Sequence, residues 1–228
     1  TADSESDATV GDAATVDTGI EEDGEAPASD SPTPGPRRRN PQRELIDPYF
    51  ILGQEEQEWD VAAWANRESL GIAEPFTLEK LRGKVVVVHF WVDGSDASAR
   101  TMTALNELAK DFQGDPVVFV GVFLVRESIA ERPWEVAQAL AGDWQIDFPI
   151  AADESTLITW WRVRYDHLPS TPTFVIGPEG QFVHLHPGPE LFPSDKIADK
   201  ICNDDYYLLS NAIKNALGQQ LAETRSDG

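Results

Sequence analysis

The sequence has one cysteine and one methionine among 228 residues, four histidines, and only 18 basic residues against 40 acidic ones. A single cysteine excludes an intramolecular disulfide and any metal centre built from clustered thiolates. The formal net charge of −22 repels phosphate backbones and argues against general nucleic-acid binding. No apolar run approaches the roughly 18–20 residues a membrane-spanning helix needs. No secretory signal pattern opens the chain. It begins at Thr1 rather than Met, which carries the expectation of a leading segment upstream.

The acid is unevenly distributed. Residues 1–36 hold ten acidic residues, from Asp3 to Asp30, and no basic one, which leaves 30 acidic and 18 basic residues for the rest. Residues 1–43 are otherwise mostly Ala, Ser, Thr, Gly and Pro, with too few large apolar side chains to offset the entropy of ordering them. They read as a disordered acidic tail or tether, stiffened by Pro32, Pro34, Pro36 and Pro41 and ending in a short basic patch at Arg37, Arg38, Arg39 and Arg43.

From Leu45 large apolar residues become frequent. Trp59, Val61, Ala62, Trp64, Ala65 and Leu70 suggest a short helix ending near Gly71, inside an N-terminal extension spanning 44–72. Phe76 to Lys84 reads as an edge strand and turn. The unbroken run Val85-Val86-Val87-Val88-His89-Phe90-Trp91 fits a strand buried on both faces. Met102, Leu105, Leu108, Ala109 and Phe112 give Asp96 to Phe112 a helical period. Further strands are expected at Val117–Val125, Phe148–Ala151, Thr173–Ile176 and Phe182–Leu185. Further helices are expected at 128–141, Ser155–Trp161 and Ser194–Leu221, and residues 223–228 read as a tail. Gly177-Pro178-Glu179-Gly180 is a turn. The resulting alternation predicts an α/β fold: a mixed central sheet with helices on both faces.

Two segments carry a family resemblance. Gly83-Lys84-Val85-Val86-Val87-Val88-His89-Phe90-Trp91, followed by a helix bearing Leu105-Asn106-Glu107-Leu108-Ala109, resembles the TlpA/ResA group of thioredoxin-like thiol–disulfide oxidoreductases. Thr171-Pro172-Thr173-Phe174-Val175-Ile176-Gly177-Pro178-Glu179-Gly180 is similar to the segment where that family places its cis-proline strand. The resemblance covers about residues 73–188 and implies a thioredoxin-like domain over 73–222. It also implies an exported, periplasmic or membrane-anchored protein of the cell envelope, with the tail as a tether.

The family works through Trp-Cys-x-x-Cys at the start of its first helix, whose positive end stabilises a thiolate. Aligned on Phe90-Trp91, the two cysteines fall at Ser95 and Ser98, and the preceding Trp falls at Gly94. A hydroxyl neither ionises at neutral pH without help nor stores electrons as a disulfide. The dithiol chemistry therefore does not carry over, and no catalytic residue and no cofactor are assigned. Ser95 or Asp96 is expected to cap the helix. A hydrolytic serine would need a base within hydrogen-bond reach, but His89 lies inside a strand and His167 in a distant loop. What the resemblance leaves intact is Pro172, implied to be cis. A peptide-docking groove is therefore expected around Trp91, Asp93, Gly94, Ser95, Asp96, Ser98, Thr171 and Pro172.

Two further residue sets invite chemistry. Cys202 lies on an apolar stripe of the last helix with Asp199, Asp204 and Asp205 nearby, surroundings that disfavour a thiolate. His184 and His186 alternate on a strand and so share a face; Asp166, His167 or Glu190 could supply a third ligand to a metal. Three readings stay open: a protein- or peptide-binding scaffold without redox activity, a residual redox role through Cys202 or a partner's thiols, and a metal-binding module at His184 and His186.

Overall fold

The computed structural model describes residues 48–70, 76–125, 133–161, 171–188 and 190–226. The expected tail at 1–43, and with it Asp166 and His167, lie outside these residues. The chain forms strands β1 (Val61–Ala65), β2 (Val85–Trp91), β3 (Val117–Leu124), β4 (Ile150–Asp153), β5 (Thr173–Ile176) and β6 (Phe182–His186). Between and after them come helices α1 (Asp96–Asp111), α2 (Pro133–Asp143), α3 (Thr156–Trp161) and α4 (Lys200–Ser226).

The six strands make one mixed sheet in the order β1-β4-β3-β2-β5-β6. β2, β3 and β4 run parallel, while β1, β5 and β6 each pair antiparallel to their neighbours. β2 is central, and all seven of its residues are buried, as a continuous β-branched and aromatic run requires.

Strand alternation sends β2 side chains to two cores. Val85, Val87 and Trp91 pack with Met102, Leu105 and Leu108 of α1, Ala137 and Ala141 of α2, and Leu209 and Ile213 of α4. Val86, Val88, Phe90 and Val92 pack on the other face with Leu157 and Trp160 of α3 and with Phe76, Leu78 and Leu81. Helices thus cover both faces, as the sequence predicts. Gly121 on β3 lets α1 approach closely: a Cβ there would lie 2.9 Å from the Met102 Cε and 3.2 Å from the Trp91 Nε1.

Four sequence expectations need correction. Val61–Ala65 is a strand instead of a helix, and only Arg67–Leu70 coils, as one 3-10 turn. The strand is stabilised by pairing with β4, and local propensity carries no information about that distant partner. The aromatic residues beside it form a cluster in which Trp59 stacks on Phe76 and meets the edge of Trp64. Phe76 to Lys84 is likewise no strand. Phe76, Leu78 and Leu81 are all buried, and Glu79–Leu81 closes a 3-10 turn that brings Leu81 onto the same core. The strand expected from Phe148 starts instead at Ile150. The last helix is shifted: a 3-10 turn at Ile197–Asp199 precedes α4, which runs to Ser226 through residues expected as a tail. The second helix begins at Pro133, a residue whose missing N–H suits a first helical position.

Candidate functional site

The residues expected to line a groove lie at the end of the sheet where β2 passes into α1. The antiparallel register sets His89 opposite Thr173, and the Phe90 N–H donates to the Pro172 carbonyl at 2.9 Å. Thr171 and Pro172 therefore flank the last residues of β2, from which the chain turns through Asp93, Gly94 and Ser95 into α1. Gly94 takes φ +63°, a left-handed conformation that glycine adopts without penalty.

The two serines at the family's cysteine positions have structural partners. Ser95 is the N-cap of α1, extended at φ −116° and ψ 113°, and its Oγ accepts from the Ser98 N–H at 3.2 Å. That arrangement satisfies one of the unpaired donors at the helix start. Ser98 is fully buried, and its Oγ accepts from the Val92 N–H at 3.2 Å, pinning the loop back onto the helix. Asp96, exposed in the first turn, complements the positive end of the helix.

Two of the expected lining residues do not reach the surface. Trp91 is 0% exposed and its ring packs against Phe123 and Trp144, because odd-numbered β2 residues point into the α1 core. Ser98 faces inward for the reason just given. Asp93, Gly94, Ser95 and Asp96 remain at least partly exposed. Thr171 and Pro172 are largely buried beside them.

One residue beyond Ser98 begins a feature that the sequence does not announce. A cavity of about 410 Å³ runs along the outer flank of α1, lined by Ala99, Arg100, Thr103, Ala104, Phe192 and Pro193, with Glu107 at its far end. The Arg100 guanidinium sits 5.7 Å from the Phe192 ring centroid and donates through Nε to Glu190 at 2.7 Å. Glu190 is thus engaged by an arginine rather than by the histidines. Arg100 and Glu190 are ninety residues apart in sequence, so no local pattern could have paired them.

Cys202 is partly buried on α4. Burial first, then Glu190, Asp199 and Asp205, push its thiol above the ordinary value. The Asp199 and Asp205 neighbours are legible in the sequence; the Glu190 contribution is not.

His184 and His186 do share a face of β6, but they serve different surroundings. His186 is buried and its Nε2–H donates to the Asp205 carboxylate on α4 at 3.2 Å. His184 is less buried and lines a cavity of about 210 Å³ with His186, Asp205, Tyr49 and Leu208. Among the described residues, no group of three His, Cys, Asp or Glu side chains is arranged to hold a metal ion. Burial lowers the pKa of both histidines, opposed in each by Asp205.

His89, which the sequence places inside a strand, is buried there with Nδ1 2.9 Å from the Thr173 Oγ1. Thr173 in turn lies opposite His186 across the next strand pair. His89, Thr173, His186 and Asp205 thus form a polar file crossing β2, β5, β6 and α4 inside an otherwise apolar layer. Burial and the nearby His186 lower the His89 pKa to about 3, with the Pro172 carbonyl opposing.

The chain matches the model of the AhpC/TSA family over residues 60–185. No curated protein matches it. Solved structures do. A candidate protein disulfide isomerase from Bacteroides thetaiotaomicron is 18% identical, covering 73% of this chain and 90% of that one with a TM-score of 0.54. A thiol-disulfide isomerase from Corynebacterium glutamicum is 18% identical, covering 65% of this chain and 94% of that one, at a TM-score of 0.49. A thioredoxin-family thiol:disulfide interchange protein from Chlorobium tepidum is 15% identical, covering 72% and 97%, at 0.49. At these identities the likeness concerns the fold, and the first of the three carries it: the architecture is thioredoxin-like.

Proposed function

The chain belongs to the AhpC/TSA family, and from that premise we propose that it is a thioredoxin-fold protein that binds an extended segment of a partner protein without exchanging thiols. The observation behind this reading is how the first turn of α1 uses its hydroxyls. Ser95 caps the helix and Ser98 accepts the Val92 N–H, so both positions serve the backbone. The remaining thiol, Cys202, has its pKa raised by burial and then by its acidic neighbours, which disfavours the thiolate.

What supports binding is the apolar flank of α1. It starts at Ala99, one turn beyond the helix cap, and is rimmed by Arg100, Glu107 and Glu190. An apolar anchor side chain would sit against Phe192 and Ala104, and flanking polar groups would meet the charged rim, the usual division of labour at an interface. The Thr171–Pro172 segment would flank the ligand's other side.

Two experiments test the reading. An insulin-reduction assay with the full chain and dithiothreitol should show no turnover above the thiol alone; turnover abolished by Cys202→Ser would overturn it. A displayed random-peptide library should yield binders whose affinity falls at least tenfold in Ala104→Arg. Binders insensitive to that change and to Phe192→Asp would remove the site assignment.

A further inference from the structure

The file formed by His89, Thr173, His186 and Asp205 is built around imidazoles that carry no charge. His89 Nε2 and His186 Nδ1 are both buried without a hydrogen-bond partner among the described residues. A buried N–H with nothing to accept it costs more than a bare acceptor lone pair. Each ring therefore keeps its proton on the nitrogen that has a partner. His89 donates from Nδ1 to the Thr173 Oγ1, and His186 donates from Nε2 to Asp205. Adding a proton to either ring would create a charged donor in an apolar layer: His186 Nδ1 meets no acceptor among the described residues, and His89 is helped only by the Pro172 carbonyl, which already accepts from the Phe90 N–H.

The position of Thr173 gives this a consequence. It is the first residue of β5, directly after Pro172, whose carbonyl accepts the Phe90 N–H. The hydroxyl of Thr173 is held by His89 from one side, and its strand pairs with the His186 strand on the other. We propose that His89 and His186 are positioning residues that hold the Thr171–Pro172–Thr173 wall of the groove against β2 only while both are neutral, so that acidification releases this wall before the rest of the sheet. The role of that wall in ligand binding rests on the reading above; its release by protons does not.

Among the described residues, the titratable groups facing the file fit this order of events. His184 on β6 and Asp205 on α4 face His186, and His89 faces it from β2. Asp205, 31% exposed, lies 3.2 Å from His186 and favours its charged form, so His186 takes a proton at a higher pH than His89. The Asp205 carboxylate then stabilises the imidazolium on one side, while the new Nδ1–H on the other has no acceptor. His89 is deeper and resists longest.

Amide hydrogen exchange on the full chain tests this. Between pH 7.5 and 4.5, after correction for intrinsic rates, the Phe90 amide should lose at least tenfold more protection than Val120 and Val122 of β3, which report the core. In His186→Gln, which keeps a donor for Asp205 but cannot titrate in this range, the excess loss should shrink at least threefold. Equal losses at Phe90 and β3 in the native chain would overturn the proposal. If His186→Gln does not fold, 15N chemical shifts of the His186 ring decide: the proposal requires its protonation to track the Phe90 loss, and a ring still neutral at the pH of that loss overturns it. The library experiment reads ligand binding and this one reads a backbone hydrogen bond, so either can fail alone.

Discussion

The first turn of α1 and the first turn of α4 are opposites. At Ser95 the helix presents its free N–H groups and positive end, the setting that favours a thiolate, and no sulfur is there. At Cys202 the sulfur is present, but partial burial and then Glu190, Asp199 and Asp205 raise its pKa and disfavour the thiolate. Reactive cysteine chemistry needs the residue and the field together, and this chain keeps them on separate helices. The hydroxyls left behind in α1 are not idle. They bind backbone groups, which is what a hydroxyl at a helix start does well.

Substitutions at the two helix starts and in the strand before α1 put this contrast to the test. The largest effect is expected in the strand that feeds the first site. His89 is neutral in the folded chain down to about pH 3 but takes a proton near 6.5 once unfolded. The unfolded state therefore binds more protons between these values, and stability falls as pH drops from 6.5 toward 3. Each tenfold rise in proton concentration across that window costs about 1.4 kcal/mol, so the full loss is on the order of 5 kcal/mol. Urea titrations at pH 7 and 4 should show most of it, and His89→Leu should flatten the slope.

Ser98→Ala should come next. It strips the buried Val92 N–H of its acceptor and should cost about 2 kcal/mol by denaturant unfolding; a change within about 0.5 kcal/mol would mean that hydroxyl is dispensable. Ser95→Cys tests the field directly. Its thiol should react with iodoacetamide at pH 7 about ten times faster than Cys202, because the helix end raises the thiolate fraction that the acidic neighbours of Cys202 suppress. Equal rates would show that the α1 end no longer activates a thiol. The smallest effect belongs to Cys202→Ser, which should change stability by no more than about 0.5 kcal/mol, since a partly exposed, inert position has little to lose.

Legibility from sequence follows the range of the interactions. β2 and α1 are readable because an unbroken β-branched run and a helical period of apolar residues are local signals. The cap at Ser95 is readable for the same reason. β1 is not: Val61–Ala65 has no strong pattern of its own, and its hydrogen-bonding partner β4 lies more than eighty residues on. Trp91 is legible as a buried strand residue, yet the alignment that puts it beside the missing cysteines also suggests an exposed role that its burial rules out. The apolar flank of α1 is invisible because Phe192 and Pro193 reach it from the far end of the chain.

By itself the sequence determined the layered α/β architecture and the absence of a dithiol, since both follow from residue identity and local period. Tertiary structure alone decided what the polar residues do. Which acid faces which base, whether a histidine is left without a partner, and which helix flank stays apolar all depend on groups brought together across the sheet. Composition and period do not encode those distances, and electrostatic and hydrogen-bond energies depend on distance above all.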